Sequence, residues 1–202
     1  VDLPSGEHFI MQDLRSQPVS HASQTLAQTA LDLYADGDLH VLDLGSGCGI
    51  LGIMLALQRP GWRIEGLELQ ENLHSLAWEN AHCCGVPIKL TRGDLREFTC
   101  AEPFDLIVSN PPWQPAGSGR YSPHQGRNLS RFELECTLAD VLDCLRRNLS
   151  PHGEALVLYP EKRIAALQDG AAKSLLDIIG LFAASGLKKH LICRLRLKGN
   201  DR

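Results

Sequence analysis

From Leu39 onward, short apolar runs alternate with stretches whose apolar residues recur at helical spacing, and glycine or proline marks most changes of period. This alternation predicts a parallel sheet covered by helices. Strands are expected at residues 40–44, 63–69, 87–90, 104–109 and 155–159. Between them, residues 50–58 form a helix ended by Pro60-Gly61, and residues 71–84 form another, with Leu73, Leu76, Ala77 and Ala81 at core spacing and Gly85 as the stop. A third helix spans 132–149 through Leu134, Leu138, Val141, Leu142 and Leu145. Ahead of the sheet, residues 23–34 read as an amphipathic helix. Residues 161–185 read as mostly helical, broken at Gly170 and Gly180, and residues 187–197 as one last strand. Residues 114–130 are rich in glycine and proline without periodicity, and a loop of that length inside a compact domain is usually functional.

Composition narrows the picture. The 202 residues are 44% hydrophobic and 22% charged, enough for one domain with a full core. No apolar run approaches the roughly 18 residues of a membrane helix, and the first residues lack the basic and apolar regions of a signal peptide. A cytoplasmic, non-membrane protein is expected, with the monomer favoured. The seven cysteines include no Cys-x-x-Cys pair, so they read as small buried hydrophobes, and no metal site is expected. Asn128-Leu129-Ser130 and Asn148-Leu149-Ser150 match the glycosylation triplet but read as chance matches. A net charge of −4 argues against a general nucleic-acid coat while leaving room for a local basic face.

Two motifs carry chemistry. Asp43-Leu44-Gly45-Ser46-Gly47-Cys48-Gly49 lies where the first strand passes into the first helix of the sheet, and glycines there let the backbone approach a ligand. Gly47-Cys48-Gly49-Ile50-Leu51-Gly52 also satisfies G-x-G-x-x-G, a pattern that nucleotide sites and plain packing share. Asp43 brings a negative charge that disfavours a pyrophosphate and favours an ammonium or sulfonium. Glu68, at the end of the second strand, stands where an acid takes ribose hydroxyls. A cationic nucleoside without phosphates, such as S-adenosylmethionine, suits both; a helix cap for Asp43 and a solvated strand end for Glu68 are the plainer alternatives. Gly93-Asp94 adds a carboxylate near an adenine amine or forms a simple turn. The second motif, Asn110-Pro111-Pro112-Trp113, ends the strand at 104–109. Two prolines make a rigid, ladder-free corner, Asn110 offers an acceptor to a planar amine, and Trp113 offers a flat face; an ordinary strand-ending turn has the same look.

Taken in order, the glycine turn, Glu68, Asp94 and the Asn-Pro-Pro-Trp tetrad resemble the class I, Rossmann-like S-adenosylmethionine-dependent methyltransferases that act on amino groups. Gly66-Leu67-Glu68-Leu69-Gln70, residues 115–123 and residues 131–135 look most like the tRNA adenine-N6 methyltransferases that modify valine tRNA. The resemblance implies an α/β fold, a mostly parallel central sheet with helices on both faces, in which residues 39–202 form the cofactor-binding domain and residues 1–38 a lead-in. It implies S-adenosylmethionine held by Asp43, Gly45, Ser46, Gly47, Gly49, Glu68, Leu69, Asp94, Leu95 and Asn110. Catalysis would fall to Asn110, Pro111, Pro112 and Trp113, with Trp113, Arg120, Arg127 and Arg131 binding a tRNA substrate. The release-factor glutamine methyltransferases share the tetrad and are the alternative; an NAD-linked dehydrogenase and a non-catalytic binding module are rivals from other classes. Two departures stand out. Residues 15–23 replace the family's usual aromatic-rich lead-in, and only residues 188–197 are available for its antiparallel C-terminal hairpin, so that hairpin is expected to be incomplete.

Overall fold

The structure, a computed structural model, describes residues 9–13, 21–35, 37–111, 136–187 and 189–199. Seven strands form one sheet: β1 (His40–Leu44), β2 (Arg63–Glu68), β3 (Ile88–Arg92), β4 (Phe104–Ser109), β5 (Leu149–Pro160), β6 (Leu176–Ala183) and β7 (His190–Leu197). Their spatial order is β3-β2-β1-β4-β5-β7-β6, with β1 to β5 parallel and β7 antiparallel to both β5 and β6. β1 is buried at all five positions, as a central strand covered on both faces must be. One face carries α1 (His21–Leu33), α2 (Ile50–Gln58) and α3 (Glu71–Cys83); the other carries α4 (Leu138–Asn148) and α5 (Ile164–Lys173). Side chains alternate between these layers: Val41, Ile64, Val108 and Leu156 pack under α1 and α2, whereas Leu42, Ile107, Val157 and Leu195 pack under α4 and α5.

Strand order reverses between β1 and β4, which opens a crevice at the carboxyl ends of the parallel strands. The glycine turn and, of the second motif, Asn110 and Pro111 lie on that edge.

The C-terminal part differs from expectation. The antiparallel hairpin is complete, because residues 176–183, expected to be helical, form β6 and pair with β7 from Leu176↔Leu197 to Ala183↔Leu191. Leu175 adopts a left-handed φ of 57° just after α5, a helix end usually signalled by glycine, so the sequence carries no marker there. Gly170 does not break its helix. It lies within α5, where an added Cβ would stand 2.8 Å from Leu142 Cδ1, so its missing side chain permits close packing on α4. β5 also begins earlier than expected, at Leu149, and passes through Gly153, where a Cβ would stand 2.5 Å from the Phe104 carbonyl oxygen. That close approach accompanies a register shift against β4. α4 opens at Leu138 on a reciprocal Thr137–Asp140 capping box; Phe132 and Leu134 lie outside the described residues.

Asn148 ends α4 fully buried, accepting from Cys100 N–H at 2.8 Å and donating to the carbonyls of Cys144 at 2.8 Å and Phe98 at 3.3 Å. An amide so engaged is closed to glycosylation. Asn148→Ala leaves the partly buried Cys100 N–H without its acceptor and empties a fully buried amide site, and urea denaturation is expected to show a loss of about 2–3 kcal/mol in unfolding free energy.

Candidate active site

The turn after β1 is folded back over β2. Gly45 and Ser46 both donate their N–H groups to the Leu67 carbonyl, at 2.9 and 3.0 Å. Gly45, Gly47 and Gly49 have φ of 76°, 57° and 84°, values that L side chains rarely adopt, and space is open off Gly45 and Gly47. Beneath the turn, Gly66 lacks the Cβ that would stand 3.2 Å from the Ser46 side chain. Glu68 closes the arrangement from the neighbouring strand. One carboxylate oxygen accepts from Gly47 N–H at 2.9 Å and the other from Gln70 N–H at 2.8 Å. Asp43 does the same for the helix: its Oδ2 accepts from Gly52 N–H at 3.0 Å, in the first turn of α2. The cap reading of Asp43 therefore describes its hydrogen bond, and the acid still lies beside the turn.

β4 brings Asn110 to the same place. Leu44 pairs with Ser109, and Ser109 Oγ donates to the Leu44 carbonyl at 2.8 Å, so Gly45 and Asn110 each follow one member of a locked pair. Asn110 Oδ1 is buried with no hydrogen-bond partner among the described residues, as is Ser46 Oγ. Pro111 is buried. Pro112, Trp113, Arg120, Arg127 and Arg131 lie outside the described residues. At the β2 and β3 ends, Leu69 is 39% exposed beside the turn, while Leu95 packs partly into the core. Asp94 accepts from Arg96 through both carboxylate oxygens and from the Arg96 N–H, so its carboxyl is engaged in a local ion pair and turn. Among the described residues, no three His, Cys, Asp or Glu side chains are grouped so as to hold a metal ion.

Burial dominates the electrostatics. Asp43 is 2% exposed, and loss of hydration, opposed by the Gly52 hydrogen bond and reinforced by the charge of Glu68, raises its pKa to about 7. Burial also raises Glu68, against the pull of its backbone donors, and pushes the Cys48 thiol up to about 11. Two acids under a glycine turn with room for a ligand, two acceptors unpaired among the described residues and an exposed leucine beside them match a nucleoside that carries positive charge. The chemistry of S-adenosylmethionine fits this donor set: carboxylates for cation and hydroxyls, an apolar surface for the base, and no basic group for a pyrophosphate within the turn.

The geometry also contains residues that the motifs did not reveal. Ser109 is hidden as the last residue of an apolar strand. Asn80 is fully buried on the core face of α3, seven residues after Leu73 and three after Ala77; a polar residue at an apolar helical position was the available signal.

Because the folded pKa of Asp43 exceeds its unfolded value, the native state binds more protons between about pH 4 and 7, and its stability falls as pH rises through that window. Asn keeps the acceptor for Gly52 without the charge. Asp43→Asn is therefore expected to melt higher than the unmutated protein at about pH 8 and to lose most of this pH dependence, as thermal denaturation across pH would show.

Comparison with known proteins agrees with this architecture. Residues 16–122 match the methyltransferase small domain. Over 128 residues the chain is 43% identical to a tRNA1(Val) (adenine(37)-N6)-methyltransferase of Glaesserella parasuis, covering 60% of this chain and 51% of that protein. It is 32% identical over 108 residues to a release factor glutamine methyltransferase of Enterococcus faecalis, covering 54% and 39%. The chain spans about half the length, or less, of these curated relatives. A ribosomal protein L11 methylase from Lactobacillus delbrueckii superposes with a TM-score of 0.69 at 19% identity over 96% of this chain and 87% of that one. A methyltransferase from Pyrococcus furiosus gives 0.68 at 17% identity, over 93% and 88%. With its central sheet, glycine turn and more than half of its length matched, this chain belongs to the methyltransferase small domain family.

Proposed function

We propose that this chain is an S-adenosylmethionine-dependent N-methyltransferase acting on the exocyclic N6 amine of an adenine in tRNA. The observation that carries the reading is Asn110 Oδ1, a buried acceptor without a partner among the described residues, one residue beyond the Leu44–Ser109 lock that joins its strand to the glycine turn. The relatives named for tRNA adenine methylation support adenine as the target. In this reading Asp43, Gly45, Ser46, Gly47, Gly49, Glu68, Leu69, Asp94 and Leu95 surround the cofactor, which when bound supplies an electrophilic methyl group on a sulfonium. Asn110 Oδ1 and the Pro111 carbonyl accept the two amine hydrogens, turn the nitrogen lone pair out of conjugation and steady the positive charge that grows on nitrogen. Trp113 stacks on the base, Pro112 stiffens the corner, and Arg120, Arg127 and Arg131 hold backbone phosphates. Holding the amine in near-attack geometry supplies on the order of 7–11 kcal/mol, so no strong base is needed. We place the catalytic unit at residues 39–202, the lead-in at 1–38, and the reaction in the cytoplasm.

A second reading, glutamine methylation of a release factor, draws on the Enterococcus relative, because a side-chain amide presents the same planar NH₂ to Asn110. Incubating tRNA and protein pools separately with methyl-labelled cofactor divides the two, and label in protein alone would overturn the tRNA reading. Asn110→Ala is expected to lower kcat/KM on tRNA by roughly 10²–10³-fold while leaving the Kd for S-adenosylhomocysteine within about threefold. Ionised Asp43 attracts a sulfonium but not the neutral thioether product. Affinity for S-adenosylmethionine relative to S-adenosylhomocysteine should therefore rise from about pH 6 to pH 8, measured by calorimetry, and Asp43→Asn should flatten that rise.

A further inference from the structure

The Asn80 amide joins two pieces of chain that are far apart in sequence. Its Oδ1 accepts from the Met11 N–H at 2.9 Å, and its Nδ2 donates to the Met11 carbonyl at 3.0 Å and to the Cys48 carbonyl at 2.9 Å. One side chain thus engages both backbone groups of Met11, as a neighbouring strand would, and gives its remaining hydrogen to the glycine turn. Cys48 lies between Gly47, whose N–H is held by Glu68, and Gly49, which caps α2, so the carbonyl that Asn80 holds belongs to the Cys48–Gly49 peptide. The turn has little freedom on that side, since a Cβ on Gly49 would stand 3.1 Å from Ala77 Cβ.

Residues 9–13 are tied to the same helices by other contacts. Ile10 is 1% exposed and packs among Ile50, Ile53, Ala81 and Cys84, and Asp13 accepts from Asn72 Nδ2 at 3.1 Å. Ile50 and Ile53 belong to the helix that the glycine turn begins, so packing and hydrogen bonding connect the segment to the turn along two routes.

We propose that Asn80 is a positioning residue that couples residues 9–13 to the glycine turn, so that ligand binding at the turn and ordering of that segment favour one another. The proposal rests on the turn being the cofactor site. A ligand that holds the Cys48–Gly49 peptide in its observed orientation also strengthens the Asn80 contacts to Met11, and by linkage the segment strengthens ligand binding by the same factor.

Hydrogen exchange at the Met11 amide, with and without saturating S-adenosylhomocysteine, tests this on the unmutated protein. The ligand is expected to slow that exchange by roughly 5- to 150-fold, the usual range of coupling between two sites. Asn80→Ala is expected to raise the Kd for S-adenosylhomocysteine by a comparable factor and to abolish the effect of ligand on Met11. Ile10→Ala, which loosens the segment while removing none of the Asn80 hydrogen bonds, should weaken binding in the same direction, and the double variant should fall short of the sum of the two. A merely structural Asn80 would lower the melting temperature while leaving the Kd of the folded protein and the ligand-dependent protection unchanged; that result overturns the proposal. Should Asn80→Ala fail to fold, exchange in the unmutated protein decides, and Met11 exchange indifferent to ligand overturns the coupling. Failure of the unmutated protein to bind either S-adenosylmethionine or S-adenosylhomocysteine is a different outcome, which overturns the cofactor reading and the proposal with it.

Discussion

Two buried carboxylates organise the ligand edge of this protein. Asp43 accepts from the first turn of α2 and Glu68 accepts from the glycine turn, so each ties the end of a parallel strand to a segment that would otherwise leave an amide unpaired. Both acids pay for this with lost hydration, which is why burial is the largest influence on each. An arrangement of apolar side chains could not replace them, because the amides need acceptors. Nor is it neutral toward ligands: negative charge held out of water at a helix N-terminus is stabilised by the helix and by any cation that arrives beside it.

The sheet explains why these acids meet the rest of the site. Strand order reverses between β1 and β4, and α2 and α4, the helices that follow these two strands among the described residues, lie on opposite faces of the sheet. Ser109 then pins β4 to β1 at the last residue pair. Asn110, the next residue, is thereby held near the glycine turn at the scale of adjacent strands, which are about 5 Å apart. The family match, over residues 16–122, and the fold likeness concern this same framework.

Legibility in the sequence followed the range of the interactions. The glycine turn and the acid ending β2 were readable because each depends on local backbone chemistry: positive φ and a fixed strand-to-helix spacing; of the Asn-Pro-Pro-Trp tetrad, Pro112 and Trp113 lie outside the described residues. The helices at 50–58 and 71–83 were readable from periodicity and their stops. β6 was not. Residues 176–183 include an Ile-Ile-Gly run that suits either element, and pairing with β7 decided between them. Gly170 carried a misleading local signal for the same reason, since its role is set by Leu142 on another helix.

The chain alone determined the fold class, the order of its parallel strands along the sequence and the glycine turn that follows β1, because apolar period and turn chemistry act over a few residues. Tertiary structure alone decided how those residues are used. It assigned Asp43 and Glu68 to particular amides, left Asn110 Oδ1 buried without a partner among the described residues, engaged Asp94 with Arg96, and drew Met11, Cys48 and Asn80 together across 69 and 32 positions of sequence. Burial and hydrogen-bond satisfaction are properties of the packed molecule, and no window along the sequence contains both partners.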